Sequence, residues 1–421
     1  MMKQPSIAVK ESVKSTLPSG AWLVVGLLSV VGCLNYLDRI MITTMRESIM
    51  RAIPMTEAQF GLLTSSFLWV YGLLSPVAGF LADRFSRSRV IIASLFLWSI
   101  VTWLTAYSTT FESLLVTRIL MGISEACYIP AALALIVDYH RKNTRSLAIG
   151  IHMAGIMIGS GLGFVGGWIA EHHHWNTPFI YLGVIGITYA GLLAFTLRDI
   201  PLKEESRMPP GSKKGLNFFS ALNDLFKLRS YNLMLIAWGL LGIVAWMVVG
   251  WLPTYFQEHF KLSQAISGFY ATGYFYPAAL VGLLLGGYWA DQWSRTNPKA
   301  RIFVPVIGIC IGAPCVFAAS STGHLILAIV CFVIFALTKS FIDTNMMPIL
   351  CLVANPRHRA TGYGILNLAA CIIGGAGIYA GGLLRDAHIH LGKIYRIAAL
   401  IMLVSAVLLV WVKPQPVIEE E

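Results

Sequence analysis

The nine residues Gly79-Phe-Leu-Ala-Asp-Arg-Phe-Ser-Arg87 recur later in the chain as Gly287-Tyr-Trp-Ala-Asp-Gln-Trp-Ser-Arg295, with five of the nine positions identical. Both copies follow a long apolar run, and a second pattern of one arginine and four glycines also recurs with the same spacing. Its members are Arg145, Gly150, Gly161, Gly163 and Gly167 in the first copy and Arg359, Gly364, Gly375, Gly377 and Gly381 in the second. The chain is therefore predicted to consist of two parallel repeats.

The composition indicates that the protein lies in a membrane. Of its 421 residues, 57% are hydrophobic and only 12% are charged, and the mean hydropathy is +0.70. Such a chain has too little polar surface for a water-soluble globule. Because an apolar run of about 20 residues crosses a bilayer as a helix, we predict an all-α integral membrane protein. The twelve predicted spans, numbered 1 to 12, are residues 21–45, 58–83, 90–109, 114–138, 146–170, 178–197, 231–257, 264–290, 302–320, 325–352, 360–384 and 394–412.

The charged residues predict how the chain is divided and oriented. With the N-terminus in the cytoplasm, the cytoplasmic segments hold 22 of the 31 Lys and Arg residues and the outer loops hold 6. Positive residues favour the cytoplasmic side, which explains the formal charge of +11 better than nucleic-acid binding does. We therefore expect a multi-pass protein of the inner (plasma) membrane with both termini inside. The predicted divisions are an N-terminal segment 1–20, a six-helix bundle 21–198, a cytoplasmic loop 199–229, a second six-helix bundle 230–412 and a tail 413–421.

The stretch from Gly79 to Arg89 resembles the loop signature of the major facilitator superfamily. It departs from that signature at Ser86 and Ser88, where glycine and a basic residue are usual. The resemblance implies the major facilitator fold of two six-helix bundles with a substrate site between them at mid-membrane. It also implies that Asp83 engages basic residues and helix dipoles when the carrier faces outward. The residues expected to act in this conformational switch are Gly79, Asp83, Arg84, Arg87 and Asp291.

Four charged residues lie within predicted spans 1 and 4. Asp38 and Arg39 are adjacent, while Arg118, Gly122 and Glu125 recur at the spacing of one helix face. Four charges exposed to lipid would cost on the order of 10 kcal/mol, so we expect these side chains to face the interior and one another. Either they form a structural ion-pair cluster that joins two helices, or they bind substrate and protons.

The functional interpretation assigns a role to each kind of charge. The planar guanidinium of Arg39 matches the geometry of a substrate carboxylate. Asp38 and Glu125 are candidate proton sites, because the protonation of a buried carboxyl group depends on whether a cation lies beside it. A change of partner can therefore switch protonation.

Three further segments resemble the anion:cation symporter branch of the superfamily, which includes sugar-acid carriers and sialin. They are Ser66-Phe-Leu-Trp-Val-Tyr71, Trp251-Leu-Pro-Thr-Tyr255 and Gly364-Ile-Leu-Asn367. This resemblance implies proton-coupled symport of a small organic anion, a sugar acid such as a hexuronate, an aldonate or sialic acid. It further implies an anion site lined by Tyr36, Arg39, Tyr71, Arg118 and Asn367.

Three other polar residues within spans have a structural explanation as well as a functional one. His152 lies in span 5, where a histidine more often packs against a backbone carbonyl than contacts a substrate. Lys339 and Asp343 lie four positions apart in span 10. They can neutralise each other on one helix, or they can contribute to substrate binding from the second half.

Other functions fit parts of the sequence. The segments Gly122 to Tyr128 and Gly159 to Phe164 also resemble Spinster-type lipid carriers, so proton-linked lysolipid transport is the nearest alternative. A proton-antiport exporter of drugs or metabolites is the next, and a sensor that binds its ligand without moving it would keep the same fold. We identify no metal or cofactor motif and no nucleophile with its base, so we do not expect an enzyme. The expected protein is a monomer surrounded by membrane lipid.

Overall fold

The computed structural model describes residues 18, 20–140, 142–199, 218–297, 299–355 and 358–414. The side chains at 79–80, 82–83, 142–143, 218–221 and 360 lie outside this description, and with them the predicted switch residues Gly79 and Asp83. Within the described ranges all regular structure is helical, and twelve segments are long and apolar enough to cross a membrane. Each predicted span overlaps one of these segments, and the predicted fold class is confirmed.

The first six membrane segments contain nine helices, because the fourth and fifth segments are each broken in two and a short helix follows the first. The fourth segment breaks where Pro130 lies in the first turn of the second helix, since proline lacks the N–H that would continue the preceding helix. The helices are α1 (Ala21–Thr44), α2 (Arg46–Ala52), α3 (Glu57–Arg84), α4 (Arg87–Thr105), α5 (Phe111–Glu125), α6 (Tyr128–Tyr139), α7 (Lys142–Gly161), α8 (Phe164–His172) and α9 (Thr177–Thr196).

The last six segments are preceded by a short helix that falls in the region predicted as a loop. Within this helix Leu225 is buried against the second half beside Gly362, which gives the segment an apolar contact. The helices are α10 (Phe218–Phe226), α11 (Arg229–Phe260), α12 (Gln264–Gly268), α13 (Phe275–Ser294), α14 (Ala300–Ser321), α15 (Leu325–Val353), α16 (Arg359–Asp386) and α17 (Leu391–Val410), with a π-helical turn Phe269–Gly273 between α12 and α13.

Helices α3 and α16 form the longest contact between the two halves. Ser65 Oγ donates to the Gly375 carbonyl oxygen at 2.7 Å, and Trp69 Nε1 donates to the Ile372 carbonyl oxygen at 2.9 Å. Gly72 continues the series, since a Cβ at this position would meet the side chain of Cys371 at 2.7 Å. Small and polar residues therefore let the two helices approach closely, as membrane helices without a hydrophobic driving force require.

Charged residues join the halves at the end of the molecule where α1 ends and α3 begins, which we name the closed end. Arg385 of α16 bonds Glu258 of α11 at 2.6 Å and Glu57 of α3 at 3.1 Å. The carboxylate of Asp386 accepts the backbone N–H groups of Glu57 and Ala58 at 2.9 and 3.0 Å. The C-terminal end of α16 thus satisfies free N–H groups at the start of α3 in the opposite half.

Candidate functional site

The four charged residues singled out in spans 1 and 4 come together inside the first half. Their exposed fractions are 2% for Asp38, 6% for Arg39, 2% for Arg118 and 0% for Glu125. Asp38 and Arg39 come from α1, and Arg118 and Glu125 lie on one face of α5. Such burial is stable only if the charges compensate one another, and the cluster contains two of each sign.

Arg39 pairs with one carboxylate and is surrounded by three aromatic rings. Its Nη2 atom lies 2.9 Å from Oε2 of Glu125, and both side chains are buried. The guanidinium carbon lies 4.5, 4.7 and 4.6 Å from the ring centroids of Tyr36, Phe67 and Tyr71. Three aromatic faces and one carboxylate therefore hold the positive charge in a fixed position.

Arg118 is bound less completely than Arg39. Within the described part of the chain, its Nε and Nη2 atoms have no hydrogen-bond partner although they are buried. The ring centroid of Phe179 lies 5.9 Å from the guanidinium carbon of Arg118. Unpaired buried donors are costly, so Arg118 is suited to bind an acceptor from outside the chain.

Asp38 is held by a threonine from α4. Thr102 Oγ1 donates a hydrogen bond to Asp38 Oδ2, whereas Asp38 Oδ1 has no partner among the described residues. The positive charges nearest in the cluster are Arg118 and the adjacent Arg39. A threonine in an apolar span usually bonds a carbonyl of its own helix, so the sequence carried no specific signal for Thr102.

A narrow cavity opens beside the two arginines, between α1, α3 and α5 of the first half and α11 and α16 of the second. Apart from the arginines its wall is mainly apolar, and the other polar side-chain groups among the lining residues are the hydroxyls of Thr43 and Thr64 and the indole N–H of Trp246. The lining consists of Arg39, Ile40, Ile42, Thr43, Thr64, Phe67, Leu68, Arg118, Trp246, Val249, Gly250 and Ile378. The cavity has a volume of about 10 Å³, which is room for one water molecule. An anionic head group with an apolar chain therefore fits between the two cations and the apolar wall only when the two halves move apart.

The remaining candidate binding residues lie at different distances from this cavity. Asn367 is half-buried on α16, one turn before Cys371, which packs against Gly72 next to Tyr71. His152 is fully buried within the first half, with its ring centroid 5.9 Å from that of Tyr128. The structure therefore places Asn367 at the α3–α16 contact and His152 in the packing of the first half, outside the cavity lining.

Lys339 and Asp343 form the intrahelical pair that their spacing allows. Lys339 Nζ lies 2.6 Å from Asp343 Oδ2, and the side chains are 29% and 36% exposed. A partly exposed pair at this spacing contributes only a few tenths of a kcal/mol. Neither residue lines the cavity beside Arg39.

Two of the predicted switch residues, Arg87 and Asp291, form ion pairs within their own halves. Arg87 at the start of α4 forms an ion pair with Asp138 of α6 and donates to the Ala134 carbonyl oxygen at 3.1 Å. Asp291 of α13 pairs with Arg301 of α14 at 2.9 Å. The repeated segment of each half thus contributes one ion pair that ties neighbouring helices together near the end opposite the closed one.

Comparison with known proteins identifies the family. The Major Facilitator Superfamily model matches residues 28–378, which is most of the chain. The chain belongs to the Major Facilitator Superfamily. It is a secondary transporter with twelve membrane-spanning helices, as the loop signature predicted.

Within the superfamily, relatives of the Spinster type are similar along most of the chain. Protein spinster homolog 1 of Xenopus laevis is 24% identical over 390 residues, covering 88% of this chain and 74% of the relative. The sphingosine-1-phosphate transporter SPNS2 of Xenopus tropicalis is 26% identical over 373 residues, covering 84% and 71%. An MFS-type efflux pump of Mycolicibacterium smegmatis is 25% identical over 408 residues, covering 93% and 91%. These relatives match the Spinster alternative better than the anion:cation symporter branch.

Solved structures agree on the fold. A bacterial homolog of the human lysosomal transporter Spinster, in an inward-facing and unoccupied conformation, superposes with a TM-score of 0.75 at 22% identity, covering 94% of this chain and 96% of the other. The occupied inward-facing form gives a TM-score of 0.72. The arrangement of two bundles is therefore that of a superfamily transporter.

Proposed function

We propose that this protein is a proton-coupled carrier of an amphipathic anion, such as a lysophospholipid or a phosphorylated sphingoid base. The observation that carries the proposal is the cavity beside Arg39 and Arg118, whose wall is otherwise mainly apolar. Two guanidinium groups suit a phosphate or carboxylate head, and the aliphatic and aromatic side chains suit an alkyl chain. The similarity to Spinster-type relatives, one of them named a sphingosine-1-phosphate transporter, supports the same class.

A sugar acid fits this cavity less well. Each buried sugar hydroxyl without a partner costs about 1–3 kcal/mol. Besides the two guanidinium groups, which the carboxylate would occupy, the lining residues offer the hydroxyls of Thr43 and Thr64 and the indole N–H of Trp246. A hexuronate or an aldonate carries several hydroxyl groups besides its carboxylate. We therefore place the lipid anion first and the sugar acid second, reversing the order that the sequence motifs favoured.

The ion pair between Arg39 and Glu125 suggests how protons are coupled to the anion. While Glu125 is ionised it occupies the Nη2 edge of Arg39 at 2.9 Å. A proton on Glu125 removes this competing charge, so that Arg39 can bind the substrate anion instead. Proton and anion then bind together, which is the thermodynamic requirement for symport.

An efflux function is the second candidate, because the mycobacterial efflux pump is similar over nearly its whole length. In a proton antiporter the substrate and the proton compete for one site, as a cationic substrate would compete for Asp38 or Glu125. The two functions therefore predict opposite effects of an imposed pH gradient on the same substrate.

Transport assays in proteoliposomes test the proposal. The substrates are a lysophospholipid, a phosphorylated sphingoid base, a hexuronate, an aldonate, sialic acid and a lipophilic cation, each with and without a pH gradient. We expect accumulation of the lipid anions on the side toward which protons flow. Preferred uptake of a sugar acid, or movement of the cation against the proton flow, would replace the proposed function with one of its alternatives.

A further inference from the structure

The hydroxyl of Thr102 lies between two hydrogen-bond acceptors. Thr102 is 1% exposed, and its Oγ1 atom contacts both Oδ2 of Asp38 and the carbonyl oxygen of Trp98, the latter at 3.0 Å. A hydroxyl group has one proton to donate and two lone pairs to accept with. It can therefore donate to only one of these acceptors at a time.

The protonation state of Asp38 decides which acceptor receives that proton. When Asp38 is ionised, Thr102 donates to Oδ2. When Asp38 is protonated, its own O–H donates to Oγ1 of Thr102, and the threonine hydroxyl donates to the Trp98 carbonyl oxygen. In both states the Thr102 hydroxyl and Oδ2 of Asp38 are hydrogen-bonded to each other, and only the bond to the Trp98 carbonyl oxygen is gained or lost. In a buried site this avoids the cost of an unpaired carboxyl oxygen in either state.

The surroundings leave Asp38 dependent on this hydroxyl. The charged groups that face it are Arg118 and Glu125 from α5 and Arg39 from its own helix, while the histidine of α7, His152, lies beside Gly32 well before Asp38 on α1. None of the ion pairs between described residues joins Arg118 or Arg39 to Asp38, so neither guanidinium group has a nitrogen within 4.0 Å of the Asp38 carboxylate oxygens. Thr102 is thus the described residue that bonds the carboxyl group directly.

We propose that Thr102 is a positioning residue for the transported proton, because its hydroxyl reverses its hydrogen bond when Asp38 gains or loses that proton. This inference rests on the proposed proton-coupled function and extends it to a second carboxyl group and to a residue of α4. Thr102 then pairs both charge states of Asp38, but its bond to the ionised carboxylate is charge-assisted and therefore stronger than its bond to the neutral carboxyl group.

The test compares three substitutions in α4. Thr102→Val keeps the shape and removes the hydroxyl, and Thr102→Ser restores it. Thr105→Val is the matched control, because Thr105 is also buried and lies on the same helix, and among the described residues its hydroxyl donates only to the Val101 carbonyl oxygen at 2.8 Å. All three variants are purified and checked for folding by thermal unfolding.

Two readouts are used, one of which needs no substrate. The infrared band of the protonated Asp38 carboxyl group, identified by its loss in Asp38→Asn, is titrated in the purified protein, and the pH profile of lipid-anion transport is measured in proteoliposomes. Loss of a charge-assisted hydrogen bond should move both midpoints of Thr102→Val to higher pH by about one unit. Thr102→Ser and Thr105→Val should keep the original midpoints.

The outcomes separate this inference from the proposed function. Unchanged midpoints in Thr102→Val, or an equal displacement in Thr105→Val, would overturn the role of Thr102. Absence of lipid-anion transport by the unaltered protein would instead refute the proposed function, while the infrared titration would still decide whether Thr102 responds to the charge of Asp38.

Discussion

At the scale of single residues, the two buried arginines differ in how many partners each guanidinium group already has. Arg39 has a carboxylate at 2.9 Å and three aromatic rings around it, whereas two donor nitrogens of Arg118 lack a described partner. An incoming anion can bind Arg118 at once but must compete with Glu125 for Arg39. In the proposed mechanism this difference makes Arg39 the residue that links substrate binding to protonation.

The substitution Arg39→Lys should reduce anion binding by at least tenfold although it keeps the positive charge. An ammonium group is a point charge that cannot present two parallel donors or stack between the rings of Tyr36, Phe67 and Tyr71. Binding is measured by calorimetry on folded protein. The control is Arg51→Lys, because Arg51 is exposed and its ion pair within the described part of the chain is with Glu47 on its own helix. Equal affinities in the two variants would exclude Arg39 from the site.

The substitution Glu125→Gln should separate exchange from uphill transport. Glutamine resembles the protonated carboxyl group in shape and charge, so it leaves Arg39 permanently available to the anion. We expect exchange of labelled for unlabelled substrate across the membrane to continue and accumulation driven by a pH gradient to disappear. Retained accumulation would assign the coupling to Asp38, and loss of exchange would assign Glu125 to binding or structure.

At the scale of helices, the interruptions of the spans were not predictable from hydropathy, which registers only the length of an apolar run. At the break between α7 and α8, the free backbone groups are hydrogen-bonded by a residue of the second half. Thr272 in the π-helical turn donates to the Gly161 carbonyl oxygen at 3.0 Å and accepts the backbone N–H of Phe164 at 3.1 Å. A side chain of the second half thus satisfies backbone groups that the break leaves free in the first.

The substitution Thr272→Val should therefore loosen the contact between the halves by about 1 kcal/mol. Spin labels at Tyr107 and Ile326, exposed residues near the closed end on opposite halves, report the separation by electron–electron resonance in a cysteine-free background. We expect a larger fraction of long distances than in the unaltered protein. The control Thr188→Val removes a threonine that bonds only its own helix and should leave the distances unchanged. A Thr272→Val distribution identical to this control would contradict the expectation.

The site was predictable in part, for a physical reason that differs from residue to residue. Charges in an apolar run must be buried together, so Asp38, Arg39, Arg118 and Glu125 could be grouped before the structure was known. These four charges could not distinguish the two transporter branches, because both branches share them. The apolar wall contributed by Trp246 and Ile378 comes from distant helices, and only the packing of the two halves brings those residues beside the arginines.

At the scale of the whole molecule, the network around Arg385 and Asp386 holds one end closed. It joins the end of α16 to the start of α3 and to α11. On the orientation predicted from the positive residues, this is the end away from the cytoplasm. Transport by alternating access requires that these bonds break when the protein opens at that end.

The substitution Asp386→Asn should shift the population toward the form that is open at this end. It removes a negative charge from the N-terminus of α3, an interaction of about 1 kcal/mol, which corresponds to a roughly fivefold change in the ratio of the two forms. The spin labels at positions 107 and 326 measure it. Glu112→Gln removes a carboxylate from the first turn of α5 and serves as control. An unchanged ratio in Asp386→Asn would mean that Asp386 does not hold the halves together.

The most direct measurement of the coupling between proton and anion is the uptake of protons when purified protein binds a lysophospholipid in a weakly buffered solution. If the anion replaces Glu125 at Arg39, binding should draw protons from solution at a pH at which Glu125 is ionised in the empty protein. The variant Glu125→Gln should bind the same lipid and take up fewer protons. Equal uptake by both proteins, or binding without any uptake, would contradict the proposed role of the Arg39–Glu125 pair.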